Sequence, residues 1–202
     1  MVGVLPPMIG FGLFFVGGVI GLIAIIWGIA AKVRKTSRGG AIAALLGAVP
    51  FIVVAASAGI MSGKSGPGIN DITSDVADPP AFTKSTMHGS YPAEFGEKAS
   101  KAYPNVKPLT LTKERAEVVK LASAIAGDFG WTIVESGDEG FEAFELTRMF
   151  RFRDDVVVRV RSGASGGSVV DMRSASRDGK ADFGVNAARI EKFFAELEKR
   201  SK

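Results

Sequence analysis

Asp71, Asp75 and Asp78 place three carboxylates within eight residues, flanked by Asn70 and Thr73. Oxygen donors in a loop are what a hard cation such as calcium takes. The spacing does not follow an EF-hand loop, which needs glycine at its sixth position and glutamate at its twelfth. Aspartates at this density also cap local turns, and turn capping is the expected role, with no metal assigned. Further along, Arg159, Arg161, Arg173 and Arg177 recur at strand spacing, with Arg148, Arg151 and Arg153 beside them. Guanidinium forks match carboxylate and phosphate geometry, so the first four form a candidate surface for an anion or a partner. Glu145, Asp154, Asp155, Asp171, Asp178 and Asp182 are placed to pair with these arginines across strands instead. Met149, Phe150 and Phe152 alternate with Arg151 and Arg153. That pattern serves either a membrane or partner contact or the buried face of a strand, and the buried face is expected.

The single histidine, His88, has no nucleophile motif around it. A serine hydrolase needs an oriented imidazole base, so His88 is expected to be an exposed loop residue. Glu142 and Glu145 are a carboxylate pair of the kind used in acid–base catalysis, with nothing in their sequence context to shift a pKa. The chain has no cysteine, which removes disulfides, thiolate catalysis and cysteine-based metal sites. One histidine excludes a multi-histidine site within one chain. No catalytic residue and no cofactor are therefore expected.

The elements that must position these residues divide sharply by charge. The first 61 residues contain no Asp, Glu or His, and their only charges are Lys32, Arg34, Lys35 and Arg38. The net charge of +4 belongs to that short loop, because 21 acidic and 21 basic residues follow it. The basic balance is thus a topology signal rather than a nucleic-acid footprint. Met8–Ala31 and Ala41–Met61 are uncharged runs of 24 and 21 residues, and about 20 residues cross a bilayer. They predict a transmembrane hairpin over 1–61. Its basic loop, 32–40, stays cytoplasmic, leaving both termini and the C-terminal domain on the periplasmic side of a bacterial inner membrane. The first run lacks the basic start of a cleavable signal. Ala56-Ser-Ala58 resembles a peptidase site, but the length of the second run favours a retained anchor. Gly17 with Gly21, and Ala43 with Gly47, are small-xxx-small pairs that let helices approach closely. They are expected to pack the two spans on each other or on another membrane protein, with Pro50 kinking the second span.

Residues 62–68 read as a linker and 69–202 as one soluble domain. The stretch 62–110 looks irregular, an extended arm anchored by Ile69, Ile72, Phe82, Tyr91 and Tyr103. A helix is expected at 112–129, with Thr112 as N-cap, and another at 186–200. Between them lie four strand signals, Trp131–Glu135, Phe141–Phe150, Val156–Arg161 and Val169–Ser174, joined by short turns that imply antiparallel hairpins. The fold class is α+β: two transmembrane helices, then a two-layer sandwich of a four-stranded antiparallel sheet with two helices on one face. Val156, Val158 and Val160 share the packed face, as do Phe144 with Leu146 and Val170 with Met172. The other face, carrying Glu145, Thr147, Arg159, Arg161, Asp171 and Arg173, is expected to be wet.

Four stretches carry a resemblance: Ile69–Asp75 continuing to Asp78–Phe82, Ala102–Pro104 with Lys107-Pro108, Asp154–Arg161, and Val170–Arg177 leading into Asp182–Ile190. Together they resemble the DUF1499 family, a domain of unknown function, over about residues 69–198. Met172 stands where that pattern has a second valine. The resemblance implies a bacterial or plastid-type protein, often membrane-anchored, and no activity. The expected function is a membrane-anchored, non-enzymatic periplasmic binding or accessory domain, in contact with membrane lipid and a membrane or periplasmic protein. Binding of a lipid or small amphiphile is the alternative, and an enzyme acting on cell-envelope substrates a third.

Overall fold

The computed structural model describes residues 6–34, 39–62, 66–147, 150–164, 166–179 and 181–202, with side chains of 58–62 excepted. Lys35 and Arg38 of the basic loop, the Ala58 side chain, linker residues 63–65, Arg148 and Met149 lie outside the described residues. The chain divides into two compact units, Met1–Lys64 and Ser65–Lys202.

The first unit is a pair of helices, α1 (Pro7–Val33) and α2 (Gly40–Ser62), both long and apolar enough to cross a membrane. Proline at the start of α1 suits a position where no intrahelical N–H bond is made. Helix α2 runs through Pro50. Glycines at a seven-residue repeat form the seam. A Cβ on Gly21 would lie 2.6 Å from the Gly47 carbonyl oxygen, and one on Gly47 2.5 Å from that of Gly21. Gly28 and Gly40 close on each other in the same way, one repeat away. A seven-residue period keeps one stripe facing its partner along the helix. Gly17, four residues from Gly21, has nothing within 4 Å, and Gly18 instead meets Val54.

The second unit carries a six-stranded antiparallel sheet, not the four strands expected. In chain order its elements are β1 (Asp71–Thr73), α3 (Ala93–Ala102), β2 (Leu109–Leu111), α4 (Arg115–Asp128), β3 (Thr132–Gly137), β4 (Gly140–Leu146), β5 (Arg153–Ser162), β6 (Ser168–Ser176) and α5 (Val185–Arg200). The strands lie in the order β1-β6-β5-β4-β3, with β2 also pairing β6. The extra strands and α3 come from the stretch expected to be irregular. Three residues of strand carry no readable alternation, and α3 is started by Pro92 and buries only Gly96 and Ala99. Helix α4 begins after Glu114, not Thr112. It stops at Gly130, whose φ of 77° allows the Trp131 N–H to reach the Ala126 carbonyl, a glycine-terminated helix end.

Helices α4 and α5 cover one sheet face. Their Val118, Ala122, Ile125, Ile190, Phe193 and Leu197 meet Val156, Val158, Val160, Val170 and Met172 in one core. Trp131 stacks on Phe193 with ring centroids 5.2 Å apart. The second face is not wet. Segment 74–92 lies across it, and Glu142, Asp155, Asp171 and Arg173 beneath are 0–5% exposed. The phase of β4 is also the reverse of that expected. Register pairs Ala143 with Val156 and Phe144 with Asp155. Phe144 therefore joins the arm side, where the Arg153 guanidinium lies 3.7 Å from its ring centre, and Glu145 joins the helix side.

Gly21→Leu should speed amide hydrogen exchange along α1 and α2 in detergent, because a side chain there cannot fit against Gly47. Gly17→Leu should leave the exchange pattern unchanged.

Candidate functional site

Successive residues of a strand point to opposite faces, and the middle strands use this to build two polar networks back to back. On β5, Asp154 faces the helices and Asp155 faces the arm; both are at most 3% exposed. On β6, Arg173 faces the arm and Ser174 the helices.

At the centre of the arm side, Arg173 is 2% exposed. Its Nε donates to Asp71 Oδ1 at 2.9 Å and its Nη2 to Asp71 Oδ2 at 2.7 Å, a bidentate pair. Nη1 and Nη2 also donate to the Pro80 and Gly89 carbonyls at 3.4 and 3.2 Å. The guanidinium also lies over the rings of Phe82 and Tyr91, 4.9 and 5.4 Å from their centres. Burial, and then the neighbouring Asp71 charge, push the Tyr91 phenol up to about 12, with Arg173 opposing.

Toward one end of the sheet, the guanidinium groups of Arg159 and Arg161 converge on Asp171 Oδ2, at 3.1 and 2.8 Å from their Nε atoms. Arg161 Nη2 donates to Asp75 Oδ2 at 2.9 Å, and Arg159 Nη1 pairs with Asp78 Oδ2 at 2.9 Å. Asp75 also caps the Ala77 and Asp78 amides.

Toward the other end, Asp155 accepts from Ser85 Oγ at 2.7 Å, Arg177 Nε at 2.5 Å and Arg153 Nε at 3.0 Å, with His88 Nε2 at 3.0 Å. Burial alone would raise the pKa of Asp155; the bonds from His88, Arg177, Ser85 and Arg153 outweigh it and hold the carboxyl well below its usual range. Beside it, Glu142 accepts from the Thr83 hydroxyl and from the Thr83, Lys84 and Ser85 amides. Burial opposes its ionisation, and these bonds again win, lowering its pKa.

On the helix side, Arg189 of α5 is 7% exposed. It donates to Glu145 at 2.7 Å, Asp154 at 2.6 Å, Ser174 at 2.9 Å and Asn186 at 2.5 Å. Asn186 bridges onward to the Asn70 carbonyl and Ser176. Asp182 holds the start of α5 by accepting from the Gly184 and Asn186 amides.

A family model described as protein of unknown function (DUF1499) matches residues 71–197. The chain belongs to the DUF1499 family. No curated protein matches it. The matched span of this DUF1499 chain holds every charged member of both networks, from Asp71 to Arg189.

The residues expected as site candidates are thus brought together in pairs. Asp71 meets Arg173, and Asp75 and Asp78 meet Arg161 and Arg159; Arg177 is separate, on Asp155. Among the described residues, no group of three or more His, Asp or Glu is placed to hold a metal. His88 is not an exposed loop residue: its side chain is 11% exposed and fixed to Asp155. Ser85 reaches the same aspartate oxygen rather than the imidazole, so the three do not form a nucleophile–base relay. Arg189 had no role assigned from sequence. Its signal is an arginine one residue before Ile190 and three after Asn186, on the buried stripe of α5.

Removing one partner of a buried ion pair leaves an uncompensated charge, which costs about 3–5 kcal/mol. Asp71→Ala should lower unfolding stability by that amount, read by urea titration of Trp131 fluorescence in a Trp27→Phe background. Acid should act through Asp155 and Glu142. Both carboxyls are depressed in the folded state, so their stabilisation is complete above the unfolded value of about 4 and is lost as pH falls below it. The urea midpoint should drop between neutral pH and about pH 3, and Glu142→Gln should make that drop smaller.

Proposed function

We propose that this DUF1499 protein is a membrane-anchored, non-enzymatic binding or accessory domain of the bacterial envelope, a candidate subunit of an inner-membrane assembly. The observation that carries this reading is the state of Asp155. A general acid or base works best with a pKa near the ambient pH. Asp155 is instead held ionised, with its two oxygens taken by Arg153, Arg177, Ser85 and His88. A carboxylate so bound fastens the arm to the sheet and is not free to exchange a proton with a substrate. Asp71, Asp75 and Asp78 each pair with an arginine.

The anchor is α1 and α2, each long and apolar enough to cross a bilayer. Lys32 and Arg34 between them favour a cytoplasmic loop, which puts the domain in the periplasm. A second reading, binding of a small amphiphile, is favoured by a groove of about 410 Å³ between α5 and segment 105–109. Val106, Leu109, Ile190 and Phe194 line it, and its volume falls in the range of small-molecule sites.

Alkaline phosphatase fused after Lys202 should be active in a bacterial host, and the same enzyme inserted after Arg34 inactive. The opposite pattern contradicts the periplasmic placement. Purification of the full chain from native membranes in mild detergent should yield a stoichiometric protein partner. A lone chain carrying lipid would shift the reading to the groove.

A further inference from the structure

One end of the second unit brings together the connection from β4 to β5, described at Thr147 and 150–152, and the connection from β6 to α5, described at 177–179 and 181–184. Arg177 donates its amide to the Arg153 carbonyl, and Asn70 reaches the Gly179 carbonyl at 2.8 Å. Both segments carry a bulky residue in the left-handed region, Arg151 at φ 60° and Phe183 at φ 54°. Side chains other than glycine, asparagine and aspartate rarely adopt it. Phe183 is 40% exposed and Val185, two residues on, 44%. Phe183 is thus a partly exposed aromatic residue on costly backbone.

Basic groups lie at the same end of the sheet. Arg151 is exposed, and the side chains of Arg153 and Arg177 are 30% and 25% exposed although they share Asp155. The acids Asp154, Asp155 and Asp182 at this end are buried within the networks; Asp178 is half-buried, as is Glu145, which sits opposite Asp154 and is paired with Arg189. The chain coming from α2 also enters the unit here: a Cβ on Gly66 would lie 2.5 Å from the Tyr103 hydroxyl and 3.6 Å from the Gly184 amide.

We propose that this end of the domain, centred on Phe183 and Arg151, is a lipid-contacting surface that takes the anionic headgroups of a bilayer. Apolar and aromatic side chains enter the interfacial layer while basic groups meet lipid phosphates. Lipid is the occupant because the tether from the apolar helices arrives at this same end, which keeps the local concentration of bilayer high. The proposal rests on the membrane-anchor reading.

The chain has no cysteine, so single probes are clean. Ala181→Cys reports on this end. Asp138→Cys, in the β3–β4 turn, reports on the opposite end, about 20 Å away along β4. The full chain carrying either labelled probe is reconstituted into phosphatidylcholine vesicles with and without phosphatidylglycerol, and headgroup spin-labelled lipid is added as quencher. Quenching at Ala181→Cys should be several-fold stronger than at Asp138→Cys and should increase with phosphatidylglycerol. Phe183→Asn combined with Arg151→Glu should reduce it to the Asp138→Cys level. Asparagine accepts the left-handed backbone, so unchanged Trp131 fluorescence in a Trp27→Phe background will report an intact fold. A carbonate-resistant chain whose two probes quench alike overturns this proposal alone. A chain that carbonate extracts overturns the anchor reading and the proposal together.

Discussion

A guanidinium buried in the middle of a sheet face is tolerable only when its charge is met and its N–H groups are satisfied. Arg173 imposes that condition on the rest of the domain. Its charge is met by Asp71, which makes β1 join the edge of β6 in register, Asp71 opposite Ala175. Its remaining donors reach Pro80 and Gly89, and it lies over the rings of Phe82 and Tyr91. Segment 74–92 is thereby held across the sheet, and α3 packs behind it, with Gly96 against Val76 and Phe95 edge-on to Tyr91. Glu142 and Asp155 fasten residues 83–88 of the same segment.

The same alternation couples this face to the other. Asp154 and Asp155 are consecutive, so a single backbone position feeds Arg189 on the helix side and Arg177 on the arm side. Arg173 and Ser174 do likewise on β6. Stability of the helix layer and of the arm are tied through β5 and β6, and the buried charged residues of the domain, from Asp71 to Arg189, are engaged in that tie. The groove along α5 and the two apolar helices stand outside both networks.

Where periodicity was long enough, the sequence was a good guide. Val118, Ala122 and Ile125 at helical spacing placed α4, and Val156, Val158 and Val160 placed β5. The β4 phase was ambiguous because Phe141, Ala143, Phe144 and Leu146 put apolar residues on both faces; in the structure Phe141 and Ala143 take the core, and Phe144 lies against the Arg153 guanidinium across the hairpin. Strands β1 and β2 are three residues each, too short for alternation, and exist because β6 offers them an edge. Pairing between arginines and aspartates was foreseeable from their balance. That His88 and Glu142 bind the same clamp was not, since their partners lie 67 and 57–59 residues away. In the hairpin, the Gly17–Gly21 spacing suggested a four-residue motif, whereas the seam follows Gly21 and Gly28 against Gly40 and Gly47.

The central claim is that segment 74–92 is an integral layer of the domain, locked by ionised carboxylates. Native-state hydrogen exchange of the full chain tests it most directly. The Ser74, Lys84 and Ser85 amides, bonded to Met172 and Glu142, should exchange with the same opening free energy as the β5 and β6 amides, as members of one cooperative unit. Exchange of these arm amides orders of magnitude faster than the sheet would contradict the claim. It would mean that the arm lifts on its own and leaves the arginine face open to a ligand.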